Sequence, residues 1–97
     1  MSTVKYDFRG KVALVTGAAR GMGETVSKML AESGAYVFVT DVNFEGVTRV
    51  AEEIKRGGWK AEAVQLDVTD YEAVSSLVER IVRDHGRIDI LVNNAGI

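Results

Sequence analysis

The chain has 97 residues, 46% of them apolar and 27% charged, with 12 Lys and Arg against 14 Asp and Glu, one His, no Cys and no Pro. Balanced charge and an isoelectric point near 5.3 exclude the clustered cations of a nucleic-acid surface or a polybasic membrane anchor. Without cysteine there is no disulfide and no thiolate metal site, so a single domain in the reducing cytoplasm is expected, supported by packing, a ligand or a partner.

Residues 1–10 interleave Lys5, Asp7 and Arg9 with other residues and contain no apolar stretch, so no signal peptide is expected. Lys11 to Thr16 is a short apolar run rich in β-formers, followed at once by Gly17, Gly21 and Gly23. It reads as a buried strand entering a tight turn. From Gly23 to Ser33 the apolar residues Val26, Met29 and Leu30 recur at helical spacing, and Gly34 stands where a left-handed C-cap belongs. Tyr36 to Thr40 is almost wholly apolar, as a strand covered on both faces should be, and ends in Asp41. Both apolar runs are strand-length, far short of the ~20 residues that cross a bilayer.

Val47, Val50, Ala51 and Ile54 mark a second helix, with Asn43 as its N-cap and Gly57-Gly58 as its stop. Trp59 to Leu66 alternates Lys60 and Glu62 with Ala61 and Ala63, which suits an edge strand. Asp67 closes it. Thr69 and Glu72 have capping-box spacing ahead of a third helix carrying Val74, Leu77, Val78 and Ile81 and ending at Gly86. Ile88 to Val92 forms a fourth strand. The order βαβαβαβ, with a helix in each crossover, predicts an α/β, Rossmann-type doubly wound parallel sheet with strand order 3-2-1-4.

The turn from Thr16 to Gly23 lies between the first strand and the first helix, where such a sheet binds phosphate. Helix N-terminal N–H groups and glycines without a Cβ let a pyrophosphate approach the backbone. The spacing lacks the Gly-Lys-Ser/Thr of a P-loop, which disfavours triphosphate hydrolysis. Asp41, at the tip of the second strand, stands 18 residues beyond Gly23, near the spacing of a dinucleotide fingerprint, and its carboxylate suits ribose hydroxyls. The competing reading is an N-cap of the second helix. A carboxylate there repels a 2′-phosphate, and Val42 and Asn43 offer no cation to hold one, so NAD is favoured over NADP. Arg20 is the contrary signal: it stands equally as a solvated charge, a contact to the strand tip or a ligand of a 2′-phosphate.

With these residues in place the chain resembles the short-chain dehydrogenase/reductase family. Thr16-Gly17-Ala18-Ala19-Arg20-Gly21-Met22-Gly23 is similar to its Thr-Gly-x-x-x-Gly-x-Gly turn, Asp67-Val68 to its adenine-contacting pair, and Asn93-Asn94-Ala95-Gly96 to its Asn-Asn-Ala-Gly signature. The resemblance runs from about Lys11 to Ile97. It implies a cofactor site of Gly17, Arg20, Gly21, Met22, Gly23, Asp41, Asp67, Val68, Asn94, Ala95 and Gly96, with the glycines along the pyrophosphate, Asp41 on the ribose and Asp67 on the adenine amino group. Asn94 to Gly96 would pass beside a ribose, and Asn93 either ties the central strands or touches cofactor.

The family's hydride transfer depends on a Tyr-x-x-x-Lys pair and a Ser. Here Tyr6, Tyr36 and Tyr71 are followed four residues on by Gly10, Thr40 and Ser75, so the 97 residues hold no such pair. The chain is therefore expected to be the N-terminal part of one NAD(P)-binding domain, inactive alone. The intact protein would be an NAD(H)-dependent oxidoreductase, a homo-oligomer acting on a small alcohol or carbonyl, with no nucleic-acid or membrane partner. A non-catalytic nucleotide-binding or interaction module is the alternative. Methyl transfer from S-adenosylmethionine on a similar sheet is a third reading, against which the glycine spacing and the Asn93 to Gly96 segment count. Cut after its fourth strand, the chain is expected to self-associate through the exposed strand edge.

Other constellations read as structural. His85 with Asp84 and Ser75 or Ser76 lies on one helix without a nucleophile elbow, and a His at a helix C-terminus is the ordinary arrangement. Glu52-Glu53 and Asp84 with Asp89 read as solvated charges, and Trp59 as a packing residue beside the glycine break.

Overall fold

A computed structural model describes residues 6–95 of the chain. Four parallel strands alternate with three helices: β1 (Val12–Thr16), α1 (Gly21–Glu32), β2 (Tyr36–Asp41), α2 (Phe44–Arg56), β3 (Lys60–Gln65), α3 (Tyr71–His85) and β4 (Ile90–Asn93). The sheet order is β3-β2-β1-β4, the expected doubly wound arrangement.

The two-residue period of the strands distributes the core to both faces. Ala13, Val15, Val37, Val39 and Ala61 point to the face covered by α1 and α2, where they meet Ala31, Val47, Val50, Ala51 and Ile54. Val12, Leu14 and Phe38 point to the opposite face and pack with Leu77 and Ile81 of α3. β1 and the middle of β2 are buried throughout, which explains why both read as unbroken apolar runs. β3 and β4 form the two edges among the described residues, and Leu91 on β4 is 65% exposed.

Several details depart from the sequence expectations, the third strand among them, which runs from Lys60 to Gln65 instead of Trp59 to Leu66. α1 begins at Gly21 instead of Gly23, because the glycine turn winds directly into the helix. β4 spans Ile90 to Asn93 instead of Ile88 to Val92. Here the Asp89 carboxylate accepts the Val12 N–H at 2.8 Å, so a side chain occupies the first ladder position and regular pairing starts with Ala13 beside Ile90. Asp89 is thus a structural anchor and not a free surface charge. The capping box is not formed: Asp70 caps α3 by accepting the Ala73 N–H at 3.1 Å, while Thr69 donates to Asp67. A carboxylate suits the positive helix end, and it frees Thr69 for the preceding turn. Glu53 is likewise paired, with Lys28 and Arg49.

Other local expectations are met. Asn43 caps α2 through the Gly46 N–H at 3.0 Å. Gly34, Gly58 and Gly86 have positive φ beyond the three helices. His85 packs its ring against Tyr36 and Phe38, with centroids 4.5 and 5.3 Å apart, a core role for an imidazole at a helix end. Trp59 lies over Gly57, where any Cβ would collide with the indole.

Candidate functional site

The C-terminal ends of the strands open onto one groove of about 510 Å³. Its walls are Gly17, Arg20, Gly21 and Met22 from the turn after β1, Asp41 and Val42 after β2, Leu66, Asp67 and Val68 after β3, and Asn94 and Ala95 after β4. This is the crevice where a doubly wound sheet presents backbone donors and strand-tip side chains together. Nine of the eleven residues singled out in the sequence line it. Gly96 lies outside the described residues, and Gly23 lies beneath the wall.

Gly17 and Gly21 take positive φ, +63° and +60°, which lets the chain leave β1 sharply and re-enter as a helix. A Cβ on Gly17 would lie 3.0 Å from the Ala95 nitrogen and from the Asn94 amide, so this glycine also permits the close approach of the β4 end. Gly23 is buried in the first turn of α1, where a Cβ would strike the Gly17 carbonyl. Close packing by itself therefore requires a glycine at this position. α1 starts from Arg20 in extended conformation with no side-chain cap, so its first-turn N–H groups have no intrahelical partner, and Gly21 and Met22 of that turn line the groove at the positive end of the helix dipole.

Both oxygens of Asp41 are in use. Oδ2 accepts the Ala19 N–H at 3.2 Å and Oδ1 the Asn43 N–H at 3.0 Å. The carboxylate therefore fixes the glycine turn against the β2 tip, while Asn43 takes the helix cap. Arg20 stands on the groove wall, exposed, and forms no ion pair with Asp41 among the described residues. Asp67 accepts the Thr69 N–H and hydroxyl on Oδ1 at 2.9 and 2.7 Å, and the Thr69 hydroxyl holds its carboxyl below the usual carboxylate range. Leu66 and Val68 flank it with apolar surface, a slot with a charged acceptor in its middle.

Thr16 joins β1 to the β4 end. Its hydroxyl donates to Asn93 Oδ1 at 3.2 Å and accepts the N–H groups of Asn94 and Ala95 at 3.0 and 3.1 Å. The Asn94 amide donates to the Gly17 carbonyl at 3.1 Å. Asn93 ties the central strands, and Asn94 braces the glycine turn from the opposite side to Asp41. The groove residues Val42 and Leu66 are not assigned to the site from the sequence because apolar side chains beside a motif carry no chemical signature, although both adjoin the strand-tip aspartates.

The short chain dehydrogenase model matches residues 11–97. The chain belongs to the short-chain dehydrogenase family. It is 46% identical over 91% of its length to 2,3-dihydro-2,3-dihydroxybenzoate dehydrogenase of Bacillus subtilis, of which the match covers 34%. Among solved structures, a metagenomic short-chain oxidoreductase in complex with NADP superposes with a TM-score of 0.89 at 38% identity, over 93% of this chain and 41% of that one. A structure described as a D-mannonate oxidoreductase of Haemophilus influenza with bound NAD gives 0.88 at 34% identity, over 95% and 33%. The chain thus spans between about a third and two fifths of the length of these family members.

Proposed function

We propose that the groove binds NAD(H), as the cofactor half of an oxidoreductase that interconverts a small alcohol and a carbonyl by hydride transfer. The observation that carries this reading is the opposition of the Asp41 carboxylate to an uncapped helix N-terminus across a glycine turn. Phosphate belongs at the helix end and ribose hydroxyls at the carboxylate, while Asp67 and its apolar neighbours suit an adenine amino group and ring face. The relatives bound to NADP and to NAD support the nicotinamide dinucleotide class. Preference for NAD rests on the Asp41 charge, which opposes a 2′-phosphate, and on Val42 and Asn43 beside it.

In this reading the chain's own residues bind and orient the cofactor. The backbone of Gly17 to Met22 receives the pyrophosphate, Asp41 and Asp67 orient the adenosine, and Asn94 and Ala95 hold the β4 end at the ribose. Gly96 belongs to the same proposed segment. A nicotinamide dinucleotide held there would supply the hydride donor or acceptor. Proton transfer requires a Tyr-x-x-x-Lys pair, which the 97 residues do not contain, so residues 1–97 are proposed to be the N-terminal part of a single domain. A homo-oligomer is proposed for the intact protein, and a cytosolic setting, for which the cysteine-free composition is the support.

The test is the complete reading frame. Continuation into a Tyr-x-x-x-Lys region, with NADH formation from a panel of alcohols lost on replacing that Tyr by Phe, is the expected result. A full product without such a pair would sink the oxidoreductase reading and favour the non-catalytic nucleotide-binding module.

A further inference from the structure

Behind the groove, four charged side chains join α1 to α2. Arg49 grips Glu24 with both arms of its guanidinium, Nη2 to Oε1 at 2.9 Å and Nη1 to Oε2 at 3.2 Å, and Nη1 also reaches Glu53 at 2.8 Å. Lys28 bridges the same two carboxylates, each at 2.7 Å. Arg49 has one further bond: Nη2 donates to the Ala19 carbonyl at 3.1 Å. Ala19 is therefore held at its N–H by Asp41 and at its C=O by Arg49. One turn before Arg49, Gly46 makes room for the same residue, since a Cβ there would come within 2.7 Å of the Ala19 Cβ.

Glu24 occupies the first turn of α1. Negative charge there stabilises the helix by meeting its positive end, but it competes with any anionic ligand for that end. A diphosphate at the glycine turn would face an uncompensated carboxylate about one helical turn away. Arg49 and Lys28 neutralise it, and the paired guanidinium and ammonium hold the Glu24 carboxyl far below its ordinary range, at about 2.

We propose that Arg49, which lies outside the groove, is a positioning residue for dinucleotide binding: it anchors the Ala19 carbonyl of the phosphate turn and cancels the Glu24 charge at the helix end that receives the diphosphate. This rests on the dinucleotide reading of the groove. Lysine is not equivalent, because one ammonium cannot span the carboxylate as a fork and reach the Ala19 carbonyl in the same geometry.

Calorimetric titration of NAD⁺ into the product of the complete reading frame tests it, using wild type, Arg49→Met, Arg49→Lys, Glu24→Gln and the Glu24→Gln/Arg49→Met double variant. Loss of a charge-assisted bond and exposure of a like charge should weaken Arg49→Met about five- to tenfold and Arg49→Lys about threefold, with Glu24→Gln within about twofold of wild type. The double variant should bind more tightly than Arg49→Met. A purely structural role predicts the reverse, since Glu24→Gln removes further ion pairs and would compound the loss. Arg49→Met binding as wild type, or a double variant no tighter than Arg49→Met, overturns the proposal. If Arg49→Met does not fold, Arg49→Lys binding as wild type overturns it. Wild type that binds neither NAD⁺ nor NADP⁺ removes the dinucleotide reading itself, a result distinct from equal binding by all variants.

Discussion

The side-chain amide of Asn94 donates to the carbonyl oxygen of Gly17 at 3.1 Å, joining the end of β4 to the first glycine of the turn across 77 positions of sequence. Since the same turn is held from β2 by Asp41, its shape is set by two strands on either side of β1. Replacing Asn94 by Ala removes one partly buried hydrogen bond and should cost about 1 kcal/mol of stability. Asn94→Asp sets acceptor against acceptor and should cost more. Thermal denaturation of the two variants gives the order.

Gly21 and Gly23 should fail in different ways. Gly21 has φ +60° and open space around the position of a Cβ, so Gly21→Ala incurs about 1–2 kcal/mol of backbone strain. It also puts a methyl on the groove wall, so dinucleotide affinity should fall while the protein still folds. At Gly23 a Cβ meets the Gly17 backbone, which cannot move aside as a flexible side chain would. Gly23→Ala should therefore cost about 3 kcal/mol or more and lower soluble yield. Denaturant melts paired with cofactor titrations separate the two.

Acid should weaken the joint between α1 and α2. The Glu24 carboxyl is held at about 2 against an ordinary 4.5, first by its hydrogen bond to Arg49 and next by that to Lys28. Because the folded value is the lower one, its contribution is complete above about pH 4.5 and is lost as pH falls towards about 2. Solvent around the network leaves at most about 1 kcal/mol of this as stability. Unfolding free energies measured across that window should fall less steeply for Glu24→Gln than for wild type.

The outer edge of β4 presents main-chain groups beside an exposed Leu91. The 97-residue chain is predicted to associate with increasing concentration in sedimentation velocity, and Leu91→Lys should reduce that association. A monomer at all concentrations would contradict it.

The fold and most of the groove wall are legible in the sequence for one reason: the glycines, the strand-tip aspartates and the asparagine pair each lie next to an element boundary that hydrophobic periodicity already marks. Residues whose role depends on what faces them across the core are not legible in this way. Arg49 is one exposed cation among several on an amphipathic helix until the α1 and α2 packing brings Glu24 and the Ala19 carbonyl to it, 25 and 30 positions away. Asp89 similarly looks like a surface charge until β4 pairs with β1 and its carboxylate meets the Val12 N–H. At the start of α3, Thr69 and Asp70 both suit a cap, and the nearby Asp67 decides between them by taking the threonine.

The central claim is that the Asp41 carboxylate reads the adenosine ribose of a dinucleotide whose diphosphate rests on the glycine turn. Titrating NAD⁺ and NADP⁺ separately into wild type and Asp41→Ala tests this most directly. Repulsion of a 2′-phosphate predicts that wild type binds NAD⁺ at least about tenfold more tightly, about 1.4 kcal/mol. In Asp41→Ala the gap should narrow, and NAD⁺ should also weaken because the Ala19 N–H loses its acceptor. An unchanged preference in Asp41→Ala, or tighter binding of NADP⁺ by wild type, would contradict the account.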